Sequence, residues 1–264
     1  MSRGCIVVRV FTRGDKGGNY LGVVNDTLGL DTAGMQAIAT ELGFSESVFI
    51  EWQAGESPNV RIFTPGDELP FAGHPLVGTA WVLNTMGPGG VAALRCGVGE
   101  VRIDRAAEVT WVATTGLGSV ADPGDAADWA RRAGLNALVE ASRVTMPLEY
   151  VLAELPSAAV VAAARVDMAV AAERFGLLAW ARHGDEVKVR FFAPGTAVDE
   201  DPATGSAAVA WARLMVHRGE NEGTVTILQG DEIGHPSTIH LRWAGDVISI
   251  GGTVVHDESR MLDD

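Results

Sequence analysis

Short apolar runs dominate this chain, and glycine, proline or aspartate bounds almost every one. Residues 6–12, 20–24, 47–51 and 59–64 are rich in valine, isoleucine and phenylalanine and predict strands. Between the second and third, Asp31 suits a helix N-cap, residues 33–42 predict a helix, and Gly43 suits its left-handed end. A second helix is predicted over 75–86, stopping at Gly87. Residues 92–95 and 100–104 form a hairpin pattern around "CGVGE", and 110–114 adds a strand. The texture then changes to "TTGLGSVADPGDAAD", which predicts a boundary between halves 1–116 and 117–264. Beyond it the pattern predicts a helix over 126–133, strands over 143–146 and 150–154, and helix within 157–174. A hairpin follows over 177–182 and 186–192, then a helix ending at Gly219 and three closing strands, the last expected to return to the first half.

One stretch occurs twice. "VRIFTPGDELPFAGHPLVGTAW" (60–81) is echoed by "VRFFAPGTAVDEDPATGSAAVAW" (189–211). Val60, Arg61, Phe63, Pro65 and Gly66 match Val189, Arg190, Phe192, Pro194 and Gly195, and after a one-residue insertion Ala80 and Trp81 match Ala210 and Trp211. Each copy reads as strand, loop and helix. The expectation is two copies of one α+β unit facing each other.

The loops carry the candidate chemistry. Pro75 suits a first helical position, which places His74 at or beside the N-cap. In the other loop Thr204 or Ser206 can cap. Gly73 and Gly205 would let the backbone approach a bound group, and two helix N-termini would clamp a small carboxylate. His74 can titrate near neutrality. Asp199, Glu200 and Asp201 are expected to raise one another's pKa, and Pro202 to aim Asp201 away from the coming helix. Glu46, in "GFSESVFI", adjoins an apolar strand and so qualifies as a partly desolvated acid–base group. For each loop alone, ordinary capping is the plain alternative. For Glu46 and the acidic turn it is a solvated surface.

Composition narrows the class. The 264 residues are 47% hydrophobic, enough for a sizeable core, and no apolar run reaches the length of a membrane span. A net charge of −14 disfavours nucleic acid and anionic membrane as partners. Cys5 and Cys96 provide no disulfide framework, and the opening residues read as a strand rather than a signal peptide. A cytoplasmic protein is expected.

"GGNYLGVV", "GFSESVFI", "PFAGHPLVG", "DEDPATGSA" and "QGDEIGHPS…ISIGG" occur in this order across nearly the whole chain. Together they resemble the PhzF-like phenazine biosynthesis family, with its diaminopimelate-epimerase-like fold. The resemblance implies two pseudo-symmetric halves, each a strand-rich barrel around a central helix, with a cleft between. It implies an acid–base role for Glu46, and for His74 and Asp201 a role in holding and protonating substrate. Ser206 would be another cleft residue, Gly73, Thr204 and Gly205 the helix-terminus clamp, and Asn19 a residue near the cleft. Neither metal nor organic cofactor is implied. A homodimer is.

Related epimerases use one cysteine in each loop, and these loops have none, so a two-thiol racemase is not expected. Two residues depart from the family pattern: Tyr20 stands where proline is usual, and His235 where arginine is common. The expected activity is an isomerisation by proton shift on a small polar metabolite. Hydrolysis of a C–C bond in the same cleft, or ligand binding without turnover, are the alternatives.

Overall fold

The computed structural model describes residues 3–87, 89–194 and 198–262. Its first half contains β1 (Arg3–Thr12), β2 (Asn19–Val24), α1 (Thr32–Leu42), β3 (Glu46–Glu51), β4 (Asn59–Phe63), β5 (Glu68–Leu69), α2 (Gly73–Thr85), β6 (Ala93–Cys96), β7 (Gly99–Ala106) and β8 (Val109–Thr115). The second contains β9 (Ser119–Ala121), α3 (Ala126–Arg132), β10 (Glu140–Thr145), β11 (Glu149–Glu154), α4 (Ala158–Ala163), α5 (Met168–Ala171), β12 (Gly176–His183) and β13 (Glu186–Phe192). It continues through β14 (Glu200–Asp201), α6 (Gly205–His217), β15 (Glu222–Gln229), β16 (Ser237–Ala244) and β17 (Val247–Leu262). Among the described residues no helix is long and apolar enough to cross a membrane.

The pairing pattern repeats. β2 and β3 are parallel, β3 and β4 antiparallel, and β4 and β6 parallel across the crossover helix α2. In the second half β11 and β12, β12 and β13, and β13 and β15 repeat these relations, with α6 as the crossover. In the first half the ladder runs β1–β2–β3–β4–β6–β7–β8–β17 and returns from β17 to β1. In the second it runs from β9 through β16 to β17 again. β17 therefore serves both ladders: 247–252 pair with β8, 247–251 also with β16, and the rest with β1.

Each ladder surrounds one helix. α2 packs on β1, β2, β3, β6, β8 and β17, while α6 packs on β9, β10, β11, β16 and β17. Both helices are apolar over most of their surface, as an enclosed helix must be, with Arg213 of α6 reaching out to Asp246. Every residue from Gly73 to Ala80 and from Gly205 to Met215 is buried.

The structure corrects the alignment of the two copies. Ile62 pairs with Leu69 and Phe63 with Glu68, just as Phe191 pairs with Asp201 and Phe192 with Glu200. Glu68 thus corresponds to Glu200, and Gly73 to Gly205, because the second loop is longer by three residues rather than one. The match of Trp81 with Trp211 is a coincidence of sequence. His74 corresponds to Ser206, and the Gly195 match lies outside the described residues.

Gly73 and Gly205 also meet each other across the cleft. A Cβ on Gly73 would lie 2.6 Å from the Gly205 Cα and 2.6 Å from Ile250 Cδ1, and one on Gly205 would lie 2.9 Å from the Gly73 Cα. The glycines let the two helix starts touch each other. Gly73→Ala is expected to destabilise the protein by about 1–3 kcal/mol, the usual penalty for overpacking. A thermal melt measures it. Adding Ile250→Val should not restore the Tm, because the Gly205 backbone, an equally close obstruction, remains.

Candidate functional site

A cavity of about 700 Å³ opens beside this contact, lined by Ser45, Glu46, Tyr150, Asp201, Thr204 and Ser206 together with an apolar rim that includes Phe71, Phe175 and Phe191. Glu46 begins β3, directly after Ser45 in the turn that follows α1. Asp201 ends β14, and Thr204 and Ser206 open α6. The first ladder supplies one wall and the second the other.

Glu46, His74, Asp201 and Asn19 meet at one point. His74 Nδ1 lies 3.6 Å from Glu46 Oε2 and 3.3 Å from Asn19 Nδ2. Asn19 donates to Asp201 Oδ1 at 2.8 Å and accepts from the Ser45 hydroxyl at 2.9 Å. The Thr204 hydroxyl donates to Asp201 Oδ2 at 2.5 Å. Gln229, at the end of β15, donates to the Asp201 carbonyl at 2.7 Å and to Thr204 Oγ1 at 3.0 Å, and accepts from the Thr204 N–H at 3.1 Å. Asp201 is thus held on both oxygens. Glu46 is not: its Oε2 is buried without a hydrogen-bond partner, while 17% of its side chain stays open to the cleft.

Burial dominates the electrostatics. Desolvation pushes the Glu46 carboxyl from 4.5 up to about 7, against a small opposing pull from Ser45. It raises Asp201 to about 6, with the Glu46 charge adding to the rise and His74, Thr204 and Asn19 opposing it. Desolvation also drives His74 down to about 4, so the imidazole is neutral at physiological pH.

These shifts correct three expectations. His74 does not titrate near neutrality. Asp201 owes its shift to burial and Glu46 rather than to its chain neighbours, since Glu200 is held by Arg190 in a bridge of 2.7 Å. The acidic turn is solvated only in part: Asp199 is exposed, but Asp201 is buried, and its carboxylate turns back to the helix start at Thr204.

Capping differs too. α2 begins at Gly73 after the N-cap Ala72, so Pro75 occupies the third helical position and His74 lies within the first turn. Proline is tolerated there because no N–H of the first turn has a partner inside the helix. Thr204 is the N-cap of α6, but its hydroxyl serves Asp201, and neither it nor Ser206 caps the helix with its side chain. Both helix starts therefore leave N–H groups for another acceptor.

Several residues escaped the sequence reading. Tyr150, on β11, donates its hydroxyl to Ser206 Oγ at 3.0 Å and packs its ring against Phe175 and Phe191. A tyrosine in an apolar strand gives no motif, and its partner lies 56 residues away. Gln229 stood inside a quoted motif, yet nothing in its spacing shows that it supports Asp201. Tyr20 and His235 meet each other edge to face at 6.3 Å, with Tyr20 stacked on Phe44 at 5.8 Å, away from the cavity lining. Cys5 and Cys96 are buried outside the cavity, and burial raises both thiols, Cys5 to about 11.

The comparisons agree with this architecture. Residues 8–257 match the family described as phenazine biosynthesis-like protein. An isomerase of Mesorhizobium japonicum whose reaction is uncharacterised is 35% identical over 280 residues, covering 91% of this chain and 90% of that protein. The trans-2,3-dihydro-3-hydroxyanthranilate isomerase of Pseudomonas fluorescens is 32% identical over 252 residues, covering 91% and 90%. The crystal structure of a PhzF-family phenazine biosynthesis protein from Bacillus anthracis superposes with a TM-score of 0.85 over 100% of both chains at 21% identity, a likeness of fold. The matched length, the isomerase relatives and the two-half fold agree, and the chain belongs to the phenazine biosynthesis-like protein family and stands among its isomerases.

Proposed function

We propose that this isomerase shifts a proton between two carbons of a small polar metabolite bearing a carboxylate, with Glu46 as the acid–base group and with neither metal nor organic cofactor. The observation that carries this reading is the state of Glu46. A carboxyl at the cleft wall with an unpartnered oxygen and a pKa near 7 can both accept and return a proton at neutral pH. In this reading Glu46 takes a proton from one carbon, the electron pair becomes part of a shifted double bond, and the same proton returns at the far carbon. Atoms are conserved, and the product has the mass of the substrate.

Glu46, Asn19 and His74 come from the half 1–116, and Asp201, Thr204 and Ser206 from 117–264. Asp201, fixed on both oxygens, holds its position while Glu46 moves its proton, and neutral His74 sits beside Asn19 and Glu46 without adding charge. The uncapped starts of α2 and α6, at Gly73 and Gly205, favour an anionic substrate group nearby. The name of the Pseudomonas fluorescens relative directs the first trial to a cyclic, unsaturated amino carboxylate. A second copy of the chain is the one macromolecular partner in this reading.

Glu46→Gln keeps shape and removes the titrating oxygen. Turnover should fall at least about 10²-fold, within the range supplied by general acid–base catalysis, while ligand affinity stays within about tenfold. Wild-type turnover in D₂O should label the product unless return outpaces exchange. Mass spectrometry reads both label and mass, and product fragments would favour C–C hydrolysis instead. Near-normal turnover by the glutamine variant would refute the assignment.

The pH dependence follows from the same shift. Proton abstraction needs the carboxylate, so kcat/KM should rise as pH climbs through about 7, the Glu46 value. Glu46 and Asp201 interact, so the measured pKa belongs to the pair. Stability should run the other way. A raised carboxyl pKa means that the folded state binds the proton more tightly than the unfolded chain does. Stability is then full below 4.5 and declines as pH rises through about 7. Glu46→Gln should therefore raise the Tm by about 2–6 °C at pH 8 and by much less at pH 4.5. An equal gain at both pH values would mean that desolvation of the charge is not the cause.

A further inference from the structure

We infer that Tyr150 is a positioning residue that fixes the Ser206 hydroxyl as a donor aimed at an acceptor atom of the substrate. This inference rests on the functional reading above and adds a residue and a polarity to it.

A hydroxyl has one proton to give and two lone pairs to receive. The Tyr150 proton is committed to Ser206 Oγ at 3.0 Å. Ser206 is the acceptor of that bond, so its own proton must point elsewhere, and it lies on the cavity wall. Ser206 is also the second residue of α6, among first-turn N–H groups that no side chain caps. A donating hydroxyl thus sits in a first helical turn that no side chain caps. What fits there is an oxygen or nitrogen that accepts, not one that donates.

Tyr150 is held in place to do this. It is 3% exposed, and its ring is packed edge-on by Phe175 at 5.6 Å and at a tilt by Phe191 at 5.8 Å. Gly176, its partner in the β11–β12 ladder, leaves room: a Cβ there would lie 2.4 Å from Phe191 Cζ. The other half lacks the pair altogether. Leu21 pairs with Glu46 as Tyr150 pairs with Gly176, so Leu21 takes the place of Tyr150, and His74 that of Ser206. The device belongs to one wall of the cleft, opposite the wall that carries the proton.

The chain has two tyrosines, so labelling with [¹³Cζ]tyrosine gives one signal for Tyr150 and one for Tyr20. Tyr20→Phe assigns them. In ligand-free protein, Ser206→Ala should move the Tyr150 signal and leave Tyr20 in place; if Tyr150 does not move, the hydrogen bond is absent and the proposal fails. Calorimetric titration then compares anthranilate, which offers a carboxylate, with aniline, which does not. Tyr150→Phe keeps the ring and should weaken anthranilate binding by about fivefold, the effect of one neutral hydrogen bond, without changing that of aniline. Ser206→Ala should weaken it at least as much, and the double variant should bind no worse than Ser206→Ala alone. Fully additive losses would show that Tyr150 acts by packing rather than through Ser206, and equal losses for both probes would show the same. Failure of the wild-type protein to bind anthranilate would overturn the acceptor assignment. The role of Glu46 is read separately by deuterium labelling of product.

Discussion

Two backbones touch at Gly73 and Gly205, and the rest of the site is arranged around that contact. Any side chain at either position would drive the helix starts apart. Close approach brings the first turns of both central helices to the base of one cavity, so residues far apart in the chain can share it. His74 and Ser206 sit one position beyond the two glycines. The wide separation of Glu46 and Asp201 in sequence is cancelled in space by this one contact.

The cleft that results is asymmetric although its frame is repeated. One wall presents a carboxyl whose oxygen nothing inside the protein satisfies. The other presents Tyr150, Phe175 and Phe191 around a hydroxyl pair. Stability and chemistry pull against each other here. A partner for Glu46 Oε2 would make the fold more secure and draw the carboxyl pKa back toward its ordinary value. Asp201 shows what such partners do: its hydrogen bonds from Thr204 and Asn19 pull its carboxyl down against the burial and the Glu46 charge that push it up.

Much of this was legible in the sequence, for definable reasons. Strands such as β3, β4 and β13 announce themselves as β-branched and aromatic runs between turn residues, and α1 by Asp31 and Gly43 at its ends. The duplication gave the two-helix plan. The register between copies was hidden because three extra residues fall in an irregular loop, where no periodicity marks an insertion, and a chance tryptophan match suggested one. The direction of the His74 shift was hidden because it depends on burial, which a histidine's neighbours in sequence do not report. Residues 157–174 were read as containing helix, and they hold two short ones, α4 and α5, the second capped by Asp167. Tyr150 and Gln229 were out of reach, since each acts on a residue that only the fold brings near.

β17 closes a ladder that β1 opens. It is the last strand described, yet it pairs with β1, the first, and with β8, the last strand of the opening half. On the ribosome, some 240 residues separate the emergence of β1 from that of its partner, with Arg3 facing Leu262. The opening half cannot complete its ladder until β17 has been made, so it waits with two unpaired strand edges, the kind of surface that invites misassociation. Closure of that first ladder therefore has to wait for β17. The whole molecule, rather than either half, is the unit that a chaperone must protect.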